Sequence, residues 1–122
     1  MGVSELPSLS WTKSSTGASL PLKTVNLSNV TTIGVYVIWH AGNPSRVVSI
    51  GKGDIVERLS IHRSDPKILA YRAYGILYAT WAAVPGDQMD GVERYLANCY
   101  KPLVAKRYPT VVPIQVNLPT AA

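Results

Sequence analysis

The stretch IGVYVIWHAGNPSRVVSIGKGDIVERLSIHR, residues Ile33 to Arg63, decides how the rest of the chain is read. Ile33 to Trp39 is an apolar run rich in β-branched and aromatic residues, the signature of a buried strand. Alternation puts Ile33, Val35, Val37 and Trp39 on one face and Gly34, Tyr36 and Ile38 on the other. Both faces are largely apolar, so an inner strand is expected. Ala41 to Ser45 is dense in turn residues, and its Pro44 cannot continue a ladder. A second apolar run, Arg46 to Ile50, follows at hairpin distance, and Gly51-Lys52-Gly53 is expected to end it. Asp54 then reads as a helix N-cap with Glu57 at the third helical position.

In that helix Asp54, Arg58 and His62 recur every four residues, so Arg58 and His62 project from one face. Ile55 and Leu59 form the neighbouring apolar stripe that seats the helix on the sheet. The unit is therefore a hairpin, a glycine-flanked lysine, and a helix aiming an arginine and a histidine along one edge.

Gly34-Val35-Tyr36, then Ser49-Ile50-Gly51-Lys52, then Arg58 with His62 four residues on, resembles the core of the GIY-YIG nuclease domain. Glu93 and Pro102 in ERYLANCYKP are similar to the family's metal-binding glutamate and the proline after it. The resemblance covers roughly residues 32 to 108. Two positions depart from the pattern: Ser49 stands where the second motif has tyrosine, and Ala105 where an asparagine is usual. The resemblance implies a three-stranded antiparallel sheet and Mg²⁺- or Mn²⁺-dependent hydrolysis of DNA phosphodiester bonds. It makes Tyr36, Arg58 and His62 the catalytic candidates, Lys52, Arg63 and Ser49 the substrate-binding ones, and Glu93 the metal ligand.

The wider composition bounds this reading. A chain of 122 residues with 47% apolar content is one domain with a real core. One cysteine, Cys99, leaves no internal disulfide and no multi-cysteine zinc site; its helical pattern makes it a buried packing residue. With no apolar run of membrane-spanning length and no leader pattern, an intracellular, cytoplasmic protein without a membrane partner is expected. Ten of the 12 Lys and Arg residues lie between Arg46 and Arg107, with six of the seven acids. The excess there suits a polyanion such as nucleic acid, DNA above all. No second DNA-binding domain fits in the chain, so intrinsic specificity is expected to be low unless a homo-oligomer or a partner subunit supplies it.

Residues 1–31 read as an N-terminal extension, with Trp11 packing on the domain and Ser19 to Leu22 extended. After the first helix, Pro66 suits the first turn of a short helix through Tyr71. Gly75 to Val84 is a third strand, and Asp87 is placed to cap a third helix running to about Tyr100. There Met89, Glu93, Leu96 and Tyr100 share a face beside an apolar stripe of Val92, Leu96, Cys99 and Leu103. Glu93 thus borders an apolar surface, where a carboxylate is costly unless paired or bound to a cation. Residues 109–122 form a Pro-punctuated tail in which Val111 to Val116 can add an edge strand. The order β-β-α-α-β-α argues for an α+β fold, a small antiparallel sheet covered by helices.

Each candidate also has a purely structural reading. Tyr36 can be a core tyrosine, Lys52 a turn residue, Arg58 a partner of Asp54, and His62 a cation at a helix end. Two functional alternatives follow: a catalytically impaired GIY-YIG module that binds nucleic acid, and a small α+β interaction protein without nuclease activity.

Overall fold

A computed structural model describes residues 8–14, 16–104 and 106–119. Its elements run β1 (Leu20–Pro21), β2 (Ile33–His40), β3 (Arg46–Asp54), α1 (Ile55–His62), α2 (Pro66–Leu69), a 3₁₀ turn (Ala70–Ala73), β4 (Leu77–Ala83) and α3 (Met89–Tyr100). The fold is α+β, an open antiparallel sheet ordered β1-β4-β2-β3. The expected three strands are joined by β1, whose two residues pair with Tyr78 and Ala79 at the β4 edge. Among the described residues no helix is long and apolar enough to cross a membrane.

β2 lies between β4 and β3, which is why both of its faces are apolar. Tyr36 and Ile38 face a core with Val48, Ile55, Leu59, Ile68 and Trp81, under α1 and α2. Val35, Val37 and Trp39 face a second core with Ile50, Val92 and Leu96, under α3. Each aliphatic side chain fully buried in this way contributes roughly 1.5–3 kcal/mol. Asp54 caps α1 as expected, accepting from the Glu57 backbone N–H at 3.2 Å.

Four local expectations are corrected. The Gly51-Lys52-Gly53 segment does not end β3, which runs on to Asp54 paired with Ile33. Asp87 does not cap α3; the Gln88 N–H is first captured by the Pro85 carbonyl at 2.9 Å, and the helix starts at Met89. Cys99 is exposed, because α3 buries Gly91, Val92, Glu93, Leu96 and Ala97 instead. Val111 to Val116 forms no strand: the tail crosses α3, where the Ile114 N–H donates to the Gly91 carbonyl at 3.0 Å. That crossing is close enough that a Cβ at Gly91 would lie 2.6 Å from Ile114.

The segment around Leu9 and Trp11 meets the C-terminal tail on the α3 side of the sheet, while Leu22 and Leu27 join the α1-side core. The Trp11 indole N–H donates to the Asn117 carbonyl at 2.9 Å, and the Asn117 side chain bonds both backbone groups of Leu9. Val116 is buried among the α3-side core residues.

The outer edge of β3 positions the candidate site. Trp39 and Ile38 are consecutive in β2 but pair with Val47 and Ser49, which leaves Val48 between them as a bulge. The Leu103 and Val104 N–H groups donate to the Val47 and Val48 carbonyls at 3.1 and 2.9 Å. The Tyr108 hydroxyl donates to the Ile50 carbonyl at 3.2 Å. These bonds cover an otherwise open sheet edge and bring the chain after α3 past Lys52.

Candidate functional site

Tyr36 projects from β2 onto the α1 side and lies across β3 over Gly51. A Cβ at Gly51 would stand 2.1 Å from the Tyr36 hydroxyl oxygen and 2.3 Å from Cζ. The glycine is thus required by the passage of this ring. The Arg58 stem lies over Gly53 in the same way, at ordinary contact distance. Gly51 therefore makes room for a side chain that crosses the strand, whereas Gly53 is favoured by its φ of +123° and not by the Arg58 stem.

The Tyr36 hydroxyl is 2.5 Å from His62 Nε2, and the two rings are tilted with centroids 5.3 Å apart. Burial raises the Tyr36 pKa, opposed by the nearby Arg58 guanidinium; Glu93 adds to the rise and Ser49 opposes it. Burial lowers the His62 pKa, and the charge of Arg58 lowers it further. Both groups are therefore neutral near pH 7, and which of the two donates in this bond is set by the tautomer of the imidazole. Arg58 is the cation that opposes the rise at Tyr36, and burial outweighs it.

Lys52 opposes Val35 in the β2–β3 register, so it leaves the sheet on the α3 side. Its ammonium pairs with Asp90 and, at 3.2 Å, with Glu93 Oε1. The second Glu93 oxygen accepts from Lys106 at 3.1 Å. Glu93 is 2% exposed, whereas the two lysine side chains are 33% and 37% exposed. The acid that borders an apolar stripe in sequence is thus compensated by two ammonium groups that keep contact with water. Partial burial pulls the Lys52 pKa down, but its bonds to Asp90 and Glu93 together outweigh this and leave it above its ordinary value.

Lys52, Arg58, Glu93, Lys106, Arg107 and Tyr108 line one open cleft of about 550 Å³, closed off by Pro109 and Thr110. The cleft straddles the β3 edge: Arg58 enters from the α1 side, Glu93 and Lys52 from the α3 side. Tyr36 and His62 do not line it. They lie behind Arg58, and Tyr36 is 1% exposed. Tyr108 carries a phenol pushed up to about 12, by burial first and then by the charges of Glu93 and Tyr36. Lys106 sits 5.0 Å over its ring.

The remaining candidates lie elsewhere. Ser49 is buried on the Tyr36 side of β3, outside the cleft lining. Arg63 does not reach the cleft. Its guanidinium donates to the Leu22 carbonyl at 2.8 Å and to the Val25 carbonyl, fastening the chain after β1. It borders a hollow of about 450 Å³ at the other sheet edge, lined by Leu22, Leu69, Ile76 and Leu77 with Arg72 and Lys23. That lining has no acid, histidine or tyrosine to do chemistry. Ala105 lies outside the described residues.

Asp90, Lys106 and Tyr108 were not singled out by the sequence reading. Asp90 carries a helical signal, lying one turn before Glu93. Lys106 and Tyr108 carry none, because they reach the cleft by the path of an irregular segment. Among the described residues no group of three or more His, Cys, Asp or Glu side chains converges as a metal cluster. Comparison of the chain with family models, with curated proteins and with solved structures gave no match.

Proposed function

We propose that this chain is a metal-dependent endonuclease of the GIY-YIG type, hydrolysing DNA phosphodiester bonds at the β3-edge cleft. The observation that carries the reading is the Tyr36–His62 hydrogen bond held directly behind Arg58, at a cleft ringed by Lys52, Lys106 and Arg107. This combines a proton-transfer pair, a fork of guanidinium donors and a cationic surface for a polyanion.

The donor set fits Mg²⁺ or Mn²⁺ in one respect. Asp90 and Glu93, one turn apart on α3, both hold the Lys52 ammonium, so the two carboxylates converge on one cationic centre, and Glu93 also bonds Lys106. Hard cations of this kind keep several waters and need only one or two carboxylates together with substrate phosphate. Glu93 would hold the ion, which when bound supplies Lewis-acid stabilisation to a phosphate oxygen. Arg58 binds the scissile phosphate through paired N–H donors and meets the charge that builds in the transition state. His62 Nε2 takes the Tyr36 proton, and Tyr36 takes one from the attacking water. The new P–O bond forms as the bond to the 3′ oxygen breaks, and that oxygen leaves with a proton from solvent. Because Tyr36 is 1% exposed, its hydroxyl must be uncovered before water reaches it.

That closure, Ser49 at the second-motif position, and a Glu93 whose two oxygens are both held by lysines favour one alternative. It is a module that binds nucleic acid at the same cleft without cutting it. Cleavage of single-stranded, duplex and branched DNA with Mg²⁺ and with a chelator decides between them. Arg58→Ala and Glu93→Ala are expected to cut at least about 10²-fold more slowly. Both should remain folded, since Arg58 stands beside the Ile55/Leu59 stripe and the lysines freed from Glu93 return to water. Wild-type protein that binds DNA but cuts none of the three substrates supports the non-cutting module. Cleavage that survives Glu93→Ala removes Glu93 from the metal role.

A further inference from the structure

Asp65 stands three residues after His62, and the turn between them is tied by the Asp65 N–H donating to the His62 carbonyl at 3.3 Å. One oxygen of its carboxylate is committed: Oδ1 accepts from the Lys67 N–H at 2.9 Å and caps α2. The other, Oδ2, lies 3.9 Å from His62 Nδ1. Nδ1 is itself buried and has no hydrogen-bond partner among the described residues, while Nε2 is engaged by Tyr36. The imidazole is thus placed between a phenol on one nitrogen and a carboxylate on the other.

We infer that Asp65 is a positioning residue for the Tyr36–His62 pair, keeping the imidazole hydrogen on Nδ1 and stabilising the imidazolium formed when Nε2 accepts the phenol proton. The inference rests on the proton-transfer role proposed for that pair. An acceptor beside one imidazole nitrogen fixes which nitrogen carries hydrogen, so the other keeps its lone pair for the incoming proton. The charges facing His62 are Arg58 from its own helix, Lys106 from the segment after α3, and Asp65 from the α2 cap; Tyr36 faces it as a neutral phenol. Arg58 and Lys106 oppose a proton on the ring, and among these groups Asp65 alone favours one. Without it His62 would face two cations and no anion, and the imidazolium formed on transfer from Tyr36 would lose its counter-charge. At 3.9 Å the carboxylate acts through space, and a small rotation of either side chain closes the gap once the ring is charged.

The test uses the intact chain labelled with ¹⁵N and long-range ¹H–¹⁵N spectra of the imidazole nitrogens across pH. The chain has two histidines, and His40→Gln identifies the His62 signals. Neutral His62 is expected to carry its hydrogen on Nδ1. Asp65→Asn and Asp65→Ser both keep an oxygen that can cap α2 and both remove the charge. In each, the His62 titration midpoint should move to lower pH, and Asp65→Glu should return it towards wild type. A neutral His62 with hydrogen on Nε2, or a midpoint that both charge-removing variants leave in place, overturns the inference. A parallel cleavage assay should show Asp65→Asn slower by about tenfold, with the loss concentrated where His62 must take a proton. The nitrogen spectra decide the role of Asp65 even if wild-type protein cuts no DNA, an outcome that would instead overturn the nuclease reading.

Discussion

Replacing Gly51 by alanine places a methyl group inside the Tyr36 ring. The added Cβ would lie 2.1 Å from the hydroxyl oxygen, 2.3 Å from Cζ and 2.6 Å from Cε2, where ordinary contact begins at 3.4 Å. Relief requires a movement of about 1 Å or more, and β3 cannot supply it. The strand is paired to β2 along one side and bonded by Leu103, Val104 and Tyr108 along the other. The ring must therefore leave its place, giving up its bond to His62 and its packing beneath α1. Overpacking costs about 1–3 kcal/mol and a lost buried hydrogen bond about 1–3 more. We expect about 3 kcal/mol in all, a fall in Tm on the order of 10 °C for a chain of this size. Urea unfolding followed by tryptophan fluorescence measures it in a double-mutant cycle with Tyr36→Ala. Once Tyr36→Ala has removed the ring, the methyl group has an emptied space to enter, so Gly51→Ala should cost almost nothing in that background. The reasoning is refuted if Gly51→Ala costs less than about 0.5 kcal/mol, or costs the same in both backgrounds.

Three further outcomes follow from the site. His62 has a lowered pKa in the folded chain, so the unfolded chain binds the proton first as pH falls through about 6.5. Stability should be intact above that pH and decline below it, and His62→Gln should flatten the decline in urea titrations between about pH 7.5 and 5. Lys106→Met frees one Glu93 oxygen, so Mn²⁺ affinity measured by water-proton relaxation should rise about two- to fivefold, the worth of a partly exposed ion pair. Equal affinity in both proteins would mean that the lysine and the metal do not compete. Binding to random-sequence DNA should weaken steeply between about 50 and 200 mM salt, with Lys52→Ala and Arg107→Ala each lowering the logarithmic slope by about one; a flat salt profile points to the interaction-protein alternative.

The inner strand, the hairpin, the Asp54 cap and the Arg58–His62 spacing were legible in the sequence because each depends on contacts within a few residues. Alternation alone separates Tyr36 from Val35, and the structure keeps them in different cores. The reading of Gly51-Lys52-Gly53 as a strand end failed for a tertiary reason. Glycine ordinarily weakens a strand, and nothing local reveals that the Tyr36 ring from β2 lies across Gly51. Arg63 looked available beside His62, but its partners are carbonyls 41 and 38 residues earlier. Cys99 fell on the apolar stripe by periodicity, yet the crossing tail and the sheet together select a face of α3 centred on Val92 and Leu96.

The pairing of Glu93 shows where such reading stops and what the structure adds. A carboxylate on an apolar helix face implies a cation in its neighbourhood, and that much is a property of α3 alone. Which cation answers it depends on residues 41 positions before and 13 after, brought together by the β3 edge. Lys52 and Lys106 each keep about a third of their side-chain surface in water. Both can turn from a carboxylate oxygen to a phosphate oxygen at small cost in desolvation. On the proposed reading, nucleic acid entering the cleft draws the ammonium groups away from Glu93 and exposes the carboxylate as the phosphate arrives. The same exchange accounts for a resting site whose acid is neutralised by the protein's own lysines, and it makes metal affinity depend on the lysines that bind substrate.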